Sequence, residues 1–274
     1  VQDEEIDADA DFDDLGEVPL YRDSRGLLFY GKGLVSWSAP DSRGRASHRV
    51  NTFARQACYF LTEGDGPAAI AVAQAGVTPS RSLDYTYAHV VYHKEEYSWM
   101  SSGSMFYENL NYASSNSQTY HLASVDPVTS LGGSLRVNFT GHFTSSGATV
   151  RNVDVSVDGR EMATSVRISN SGEYDKAREG SVTYELSSLQ EGTTGVQVTL
   201  TSPAGMDARL GYLELCYRRQ LFMRDPWLYI RDNKASAASL VINTNGRGNV
   251  KLWRLGRRGQ SMAEMQGVRS GNTY

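Results

Sequence analysis

The sequence predicts an all-β protein: an antiparallel β-sandwich, jelly-roll-like, preceded by a β-rich segment. Three observations carry that expectation. Apolar residues recur at two-residue spacing in run after run between positions 121 and 222, the alternation a half-buried strand requires. Turn chemistry interrupts those runs at short intervals, most clearly at Asp158-Gly159, a dipeptide suited to a two-residue hairpin loop. No long segment carries an apolar period of 3.6. The 26 Gly and 16 Tyr also favour strands and turns over helices.

Residues 1–15 form an acidic N-terminus, with eight acids and no base between positions 3 and 14. Such a stretch is expected to be mobile or to lie along an edge. The run from Asp7 resembles the opening of a calcium loop. Phe12 stands where its glycine belongs and Val18 where its closing glutamate belongs, so no metal site is expected there.

Residues 16–120 read as a β-rich N-terminal domain. Leu27 to Gly33 and Ala57 to Thr62 are short continuous apolar runs bounded by Gly or polar residues, the pattern of buried strands. The polar stretch from Ser38 to Arg49 reads as a loop, His89 to His93 as a strand, and the Ser/Asn-rich Asn111 to Gln118 as a linker.

Residues 121–222 are the sandwich. Leu135, Val137, Phe139 and Phe143 share one phase. Val153, Val155 and Val157 lead into Asp158-Gly159, and Val166 and Ile168 supply the return. Val182, Tyr184 and Leu186 follow, then Val196, Val198 and Leu200. Leu213 to Tyr217 is largely apolar on both faces, as a central strand is.

Residues 223–274 carry two strand-like runs, Ser239 to Asn243 and Asn249 to Leu255, read as a hairpin across Thr-Asn-Gly-Arg-Gly. They point toward a further C-terminal domain. The chain opens on Val1 and stops at Tyr274 just after these runs, so it reads as a piece of a longer polypeptide.

The net charge of −4 conceals an asymmetry, for twelve bases and five acids lie from Gly205 onward. A basic C-terminal segment suits an acidic neighbouring domain, an anionic glycolipid or nucleic acid. The first is expected, and nucleic acid is not. No run approaches 18 consecutive apolar residues, so no membrane-spanning helix is predicted. Cys58 and Cys216 both lie in apolar runs and are expected to be buried small hydrophobes.

Catalytic and cofactor motifs are sparse. There is no Gly-x-Ser-x-Gly elbow and no His-Glu-x-x-His. Gly31-Lys32-Gly33 is followed by Ser36 where a dinucleotide fingerprint has its third glycine, and no helix follows. His89 and His93 on a strand would stand about 13 Å apart, too far to share a metal. No cofactor is expected. Trp37, Trp99, Tyr107 and Tyr112 could stack on a sugar, although rings in such places more often plug the end of a sandwich.

Four stretches together resemble a known family. Leu28-Phe29-Tyr30-Gly31-Lys32-Gly33 with Trp37 is similar to an "FYGxG…W" pattern near the start of the type IX secretion system sortases (PorU type) of Bacteroidetes. Tyr59 to Gly64 resembles their "YFLTxG" strand. His93 to Glu96, Ser102-Gly103 and Phe106-Tyr107-Glu108 are similar to "HExD…SGxxWxGE". Leu210 to Leu221 resembles "LDYIELxYxRxL", and order and spacing agree over about residues 20 to 255. Two departures stand out: Ser104 replaces an Arg of the pattern, and Leu252 to Gly256 replaces "VWDVT".

The resemblance implies a cell-surface protein on the outer-membrane exterior with a gingipain-like C25 cysteine peptidase domain downstream. That domain would be a transpeptidase joining cargo to anionic lipopolysaccharide, and no catalytic residue of it falls in this segment. The segment itself would be a non-catalytic scaffold. Its implied partners are its own C-terminal peptidase domain, other secretion-complex proteins, cargo C-terminal signal domains or an anionic glycolipid. The alternative is a carbohydrate-binding β-sandwich module presenting Trp37, Trp99, Tyr107 and Tyr112.

Overall fold

A computed structural model describes residues 17–24, 26–51, 54–61, 64, 70–73, 78–101, 106–113, 116–144, 147–171, 175–256 and 261–274. The acidic N-terminus, the calcium-loop-like run at Asp7 and Ser102 to Ser104 lie outside the described residues. Six short strands come first: β1 (Leu20–Asp23), β2 (Gly26–Phe29), β3 (Val35–Trp37), β4 (His48–Val50), β5 (Ala71–Ala73) and β6 (Arg81–Leu83). The long strands follow: β7 (Tyr85–His93), β8 (Ser117–Ser124), β9 (Gly133–His142) and β10 (Val150–Val157). Next are β11 (Arg160–Glu161), β12 (Val166–Ser169), β13 (Arg178–Leu186), β14 (Gly192–Thr201) and β15 (Asp207–Gln220). The last three are β16 (Ala238–Leu240), β17 (Leu252–Leu255) and β18 (Met262–Met265).

Two sheets make the predicted sandwich. One has the order β13-β9-β15-β7 and the other β11-β10-β14-β8, with β12 also on β10. Their facing sides bury the alternating residues read from the sequence, among them Leu135, Val137, Phe139, Val155, Val198 and Leu215. The predicted hairpin at Asp158-Gly159 forms, both residues having positive φ, and β10 turns back first into β11 and then into β12.

Strand β15 is the centre of its sheet, paired with β9 on one side and β7 on the other. The pairing with β7 runs from Tyr85↔Gln220 to His93↔Tyr212, so the sandwich draws on residues before position 120. The register with β9 slips between Leu210 and Tyr212. This bulge falls at Gly211, where a Cβ would lie 2.0 Å from Asn138 Oδ1. A bulge adds one residue and so reverses the parity of the strand beyond it. Ala208 and Leu210 point into the core before the slip, and Leu213, Leu215 and Tyr217 after it.

Smaller sheets join the two ends of the chain. β1 pairs with β2 and β3 with β4, each antiparallel. β16 runs parallel to β6, and β18 runs parallel to β5 while pairing antiparallel with β17.

Three expectations need correction. Leu27, Leu28 and Phe29 do form a strand, but a half-exposed one in a two-stranded ribbon rather than a buried one. The run Ala57 to Leu61 is not a strand: Phe60 and Leu61 are 78% and 79% exposed, and Cys58 is exposed as well. Tyr59 alone is anchored, its ring 5.0 Å from Phe29 and its hydroxyl donating to Lys32 O at 3.1 Å. The C-terminal hairpin is also absent. Its turn exists, with positive φ at Asn245 and Gly246 and Arg247 N–H donating to Thr244 O at 3.0 Å. The flanking residues pair elsewhere: Ile242 and Tyr274 exchange backbone hydrogen bonds of 3.0 Å, while Asn243 pairs with Leu221 and Met223.

Leu213→Ala should destabilise the protein by about 2–5 kcal/mol in urea unfolding, because it opens a cavity where the side chain is fully buried. Thr199→Ala, on the exposed side of β14, should shift stability by less than about 0.5 kcal/mol.

Candidate functional site

The site lies on the outer face of the β13-β9-β15-β7 sheet. Beyond the bulge, Tyr212, Glu214 and Cys216 turn away from the core. They stand in register with His93, Val91 and His89 on β7 and with Asn138, Arg136 and Ser134 on β9. A carboxylate in mid-sheet needs donors and a cover. The β3–β4 hairpin and its connecting loop supply both.

The loop is held in shape by Asp41. Its Oδ1 accepts from the backbone N–H groups of Arg43 and Arg45 at 2.8 and 2.9 Å, and Oδ2 accepts from Arg45 Nε at 2.9 Å. Desolvation opposes ionisation of Asp41, yet the donors from Arg45 and Arg43 outweigh it and hold the carboxyl below the usual range. Gly44 has φ +84°, and a Cβ there would meet Tyr87 Cε1 at 2.3 Å, so this turn demands glycine.

His48 docks the hairpin. Its backbone N–H donates to Glu214 Oε1 at 2.7 Å, and Nδ1 contacts the same oxygen at 2.5 Å. Its Nε2 meets His93 Nδ1 at 2.8 Å. Trp37 stacks on His89 with centroids 4.8 Å apart and planes at 25°. Tyr212 closes the cluster edge-on to His48 at 4.7 Å. Burial pushes both His89 and His93 below the ordinary histidine pKa, His89 to about 4 with Arg231 adding to the effect and His93 with a contribution from His48.

Between loop and sheet is a cleft of about 330 Å³, lined in part by Arg45, Ser134, Arg136, Thr183, Glu214 and Cys216. Cys216 is no nucleophile here. Its sulfur bonds the backbone of Ala46, at 3.4 Å to N and 3.5 Å to O, and burial pushes its thiol up to about 11. The free nitrogen of the His48–Glu214 pair is already engaged by His93, so this pair presents no open base.

A second buried carboxylate, Glu108, lies where β7 gives way to the segment following it. It accepts from Tyr92 at 2.5 Å, Tyr120 at 2.6 Å and Lys94 at 3.0 Å, and Tyr120 also bonds Tyr112 at 2.9 Å. These donors outweigh desolvation and lower the Glu108 pKa. The network ties the sheets together and lines neither cleft.

The aromatics singled out in the sequence do not assemble into a platform. Tyr112 is 1% exposed and packs on Phe139 at 4.9 Å, and Tyr107 is 6% exposed with its hydroxyl on Glu179. As ligand-stacking rings these two are corrected: both turn inward, where they are buried against the sandwich. Trp37 is occupied by His89. Trp99 packs on Tyr97 at 5.3 Å and lies 5.8 Å from the Arg209 guanidinium. His89 and His93 share a face without sharing a ligand, and no metal-ligating cluster occurs among the described residues. The sequence pattern did not single out His48, hidden in a polar stretch, or Glu214, a lone acid inside Leu-Glu-Leu-Cys. That acid in an otherwise apolar strand was the available signal.

No family profile matches the sequence, and no curated protein is similar to it. Among solved structures, dimeric latent PorU from Porphyromonas gingivalis superposes with a TM-score of 0.77 at 18% identity. The match covers 100% of this chain and 26% of that one. The chain therefore has the fold of a stretch of PorU and spans about a quarter of its length. A family 35 carbohydrate-binding module from Clostridium thermocellum reaches a TM-score of only 0.29 at 14% identity, over 46% of this chain and 90% of the module. That likeness carries no argument.

The two shifted histidines set a pH dependence. An unfolded His89 takes up its proton near 6.5 and the folded one near 4. Between those values the unfolded state binds more protons, so stability falls as pH drops. Urea midpoints should decline from pH 7 to pH 4.5, and His89→Phe should flatten the decline. Thiol labelling should modify Cys58 at once and Cys216 only on unfolding.

Proposed function

We propose that this chain is the non-catalytic support region of a larger cell-surface protein of the type IX sortase kind. It supports a cysteine-peptidase-like domain that lies outside this sequence and offers surface for other proteins of the secretion apparatus. The observation that favours this most is the superposition on PorU: all of this chain, but about a quarter of that one, takes part. A likeness of fold alone does not transfer activity, so the role is argued from the surface as well.

That surface has an apolar rim of the kind an adjoining domain covers. Leu27 and Phe29 share one face of β2 and are exposed, as are Phe60 and Leu61 beside Tyr59, whose ring packs on Phe29. Tyr30 meets Tyr229 at 6.2 Å, which brings the exposed Trp227 segment toward the same rim. Exposed apolar side chains gathered in this way favour an interaction surface. The basic C-terminal segment is partly neutralised from within, for Arg224 pairs with Asp126 and Glu191, and Lys251 with Glu264. This favours an adjoining domain over an anionic glycolipid as its neighbour. No helix among the described residues is long and apolar enough to cross a membrane.

Hydrogen exchange on the full-length parent and on this chain alone tests the reading. Amides of β2 and residues 57–61 should exchange more slowly in the parent than in the isolated chain. Equal exchange in both would overturn it. The isolated chain should also leave unfolded casein uncut, and cleavage lost in Cys58→Ala would count against a support role.

A further inference from the structure

The β3–β4 hairpin is held to the sandwich largely by titratable rings. Among the described residues, neither of its three-residue strands pairs with a strand of the two large sheets. The hydrophobic core of the sandwich takes no side chain from it. A unit with so few apolar contacts can open locally while the rest stays folded. What holds it down is Trp37 on His89, and His48 on Glu214, His93 and Tyr212. Lesser ties come from the loop. Ser47 Oγ accepts from Arg136 Nη1 at 3.0 Å, Asp41 O accepts from Asn233 Nδ2 at 2.9 Å, and the Ala46 backbone meets the Cys216 sulfur.

The charges around these rings leave little room for more protons. The His48 and Glu214 side chains are 4% and 2% exposed. Glu214 is the carboxylate that faces the rings, and its Oε2 also faces the Arg136 guanidinium at 3.6 Å. Arg231 adds a second positive charge near His89. Asp41 is committed to Arg45, and Glu179 to the Tyr107 hydroxyl. Glu214 can balance one imidazolium; a second or third has no carboxylate of its own. Geometry sets the same limit. His48 Nε2 and His93 Nδ1 stand 2.8 Å apart. One proton between them makes a hydrogen bond, whichever ring carries it, and two protons set N–H against N–H. His89 has both ring nitrogens buried without a partner, against Trp37, so a charge there would be buried and unpaired.

We propose that the β3–β4 hairpin is a proton-sensitive latch: closed at neutral pH, it lifts from the sheet as pH falls toward 5, while the sandwich stays folded. Lifting lets His89 and His93 take up protons in water. With the hairpin down, burial holds both below the ordinary histidine range, His89 at about 4. His48 lowers His93 further and Arg231 lowers His89, while Glu214 pulls the other way on both and the Phe106 backbone does so on His93. Between 6.5 and about 4 the lifted form binds more protons than the docked one, so docking weakens as pH falls. His89 alone shifts the docking equilibrium by about 20-fold from pH 7 to pH 5. Lifting uncovers Glu214 and Cys216 on the outer face of β15.

Cys216 reports the state of the latch, since its sulfur lies against Ala46 of the loop. In the Cys58→Ala chain, which lacks the exposed thiol, Cys216 is labelled with 4,4′-dithiodipyridine from pH 7 to pH 5 without urea. The urea-unfolded chain at each pH gives the reference rate. Relative to that reference, labelling should rise by about 20-fold, while the amides of Val137 and Val198 keep their protection from hydrogen exchange. His89→Phe and His93→Gln, each first shown to keep that protection at pH 7, test the rings, and a flatter rise in either supports the latch. Cys216 labelling unchanged down to pH 5 would overturn the proposal. So would labelling that rises only as the sandwich amides lose protection, or a rise of the same size in both histidine variants.

Discussion

The structure depends on β15 being buried on both of its faces. A strand that feeds one sandwich core needs polar residues outward, and β15 keeps that alternation only up to Leu210. The bulge at Gly211 then reverses it and turns Glu214 and Cys216 outward in a stretch that would otherwise be read as apolar throughout. An acid at the centre of a sheet has to be solvated or covered. Here it is covered, and the cover is the hairpin that His48 pins to it. The N-terminal segment is thus joined to the sandwich through a polar contact rather than through added hydrophobic core. Hydrogen bonds to a charged group are worth about 1.5–3 kcal/mol each, and removing one partner costs more than the bond because the charge stays buried. The contact fixes where the hairpin sits.

The two buried carboxylates show how environment separates roles. Glu108 receives three donors, two of them phenols held by their own packing against the core. It is a network that links β7 and β8, with both oxygens accepting a donor. Glu214 is equally buried, but its Oε2 has only the Arg136 guanidinium at 3.6 Å, and the residue lines a cleft. Burial alone would treat the two alike.

The sandwich was legible because its strands obey a period of two and its turns use residues suited to positive φ. Val153, Val155, Val157 and Asp158-Gly159 needed no tertiary knowledge to place. What was not legible depends on partners far away in the chain. Ala57 to Leu61 has the composition of a buried strand, but composition does not say whether a second layer exists to bury it. Ser239 to Leu255 has a good turn, yet strand pairing there was decided by β6 and Tyr274 rather than by the turn. Of the site, Trp37 was seen as a ring and not as the stacking partner of His89. His48 and Glu214 stand 166 residues apart, and no local pattern joins them.

The placement of the ends has a consequence for how this region can be divided. β5 and β6 pair in parallel with β18 and β16, strands from the opposite end of the described chain. Parallel neighbours require a crossover connection, and here the whole sandwich serves as that connection. Cutting the chain at residue 222 would leave β5 and β6 as unpaired edges, together with the backbone groups of Leu221 that Asn243 satisfies. The segments before and after the sandwich are therefore paired with each other, in two small sheets, despite their separation in sequence. Closing so long a loop is entropically costly and slow. The sandwich, whose contacts are nearer in sequence, has reason to form first and to bring β6 and β16 within reach of each other.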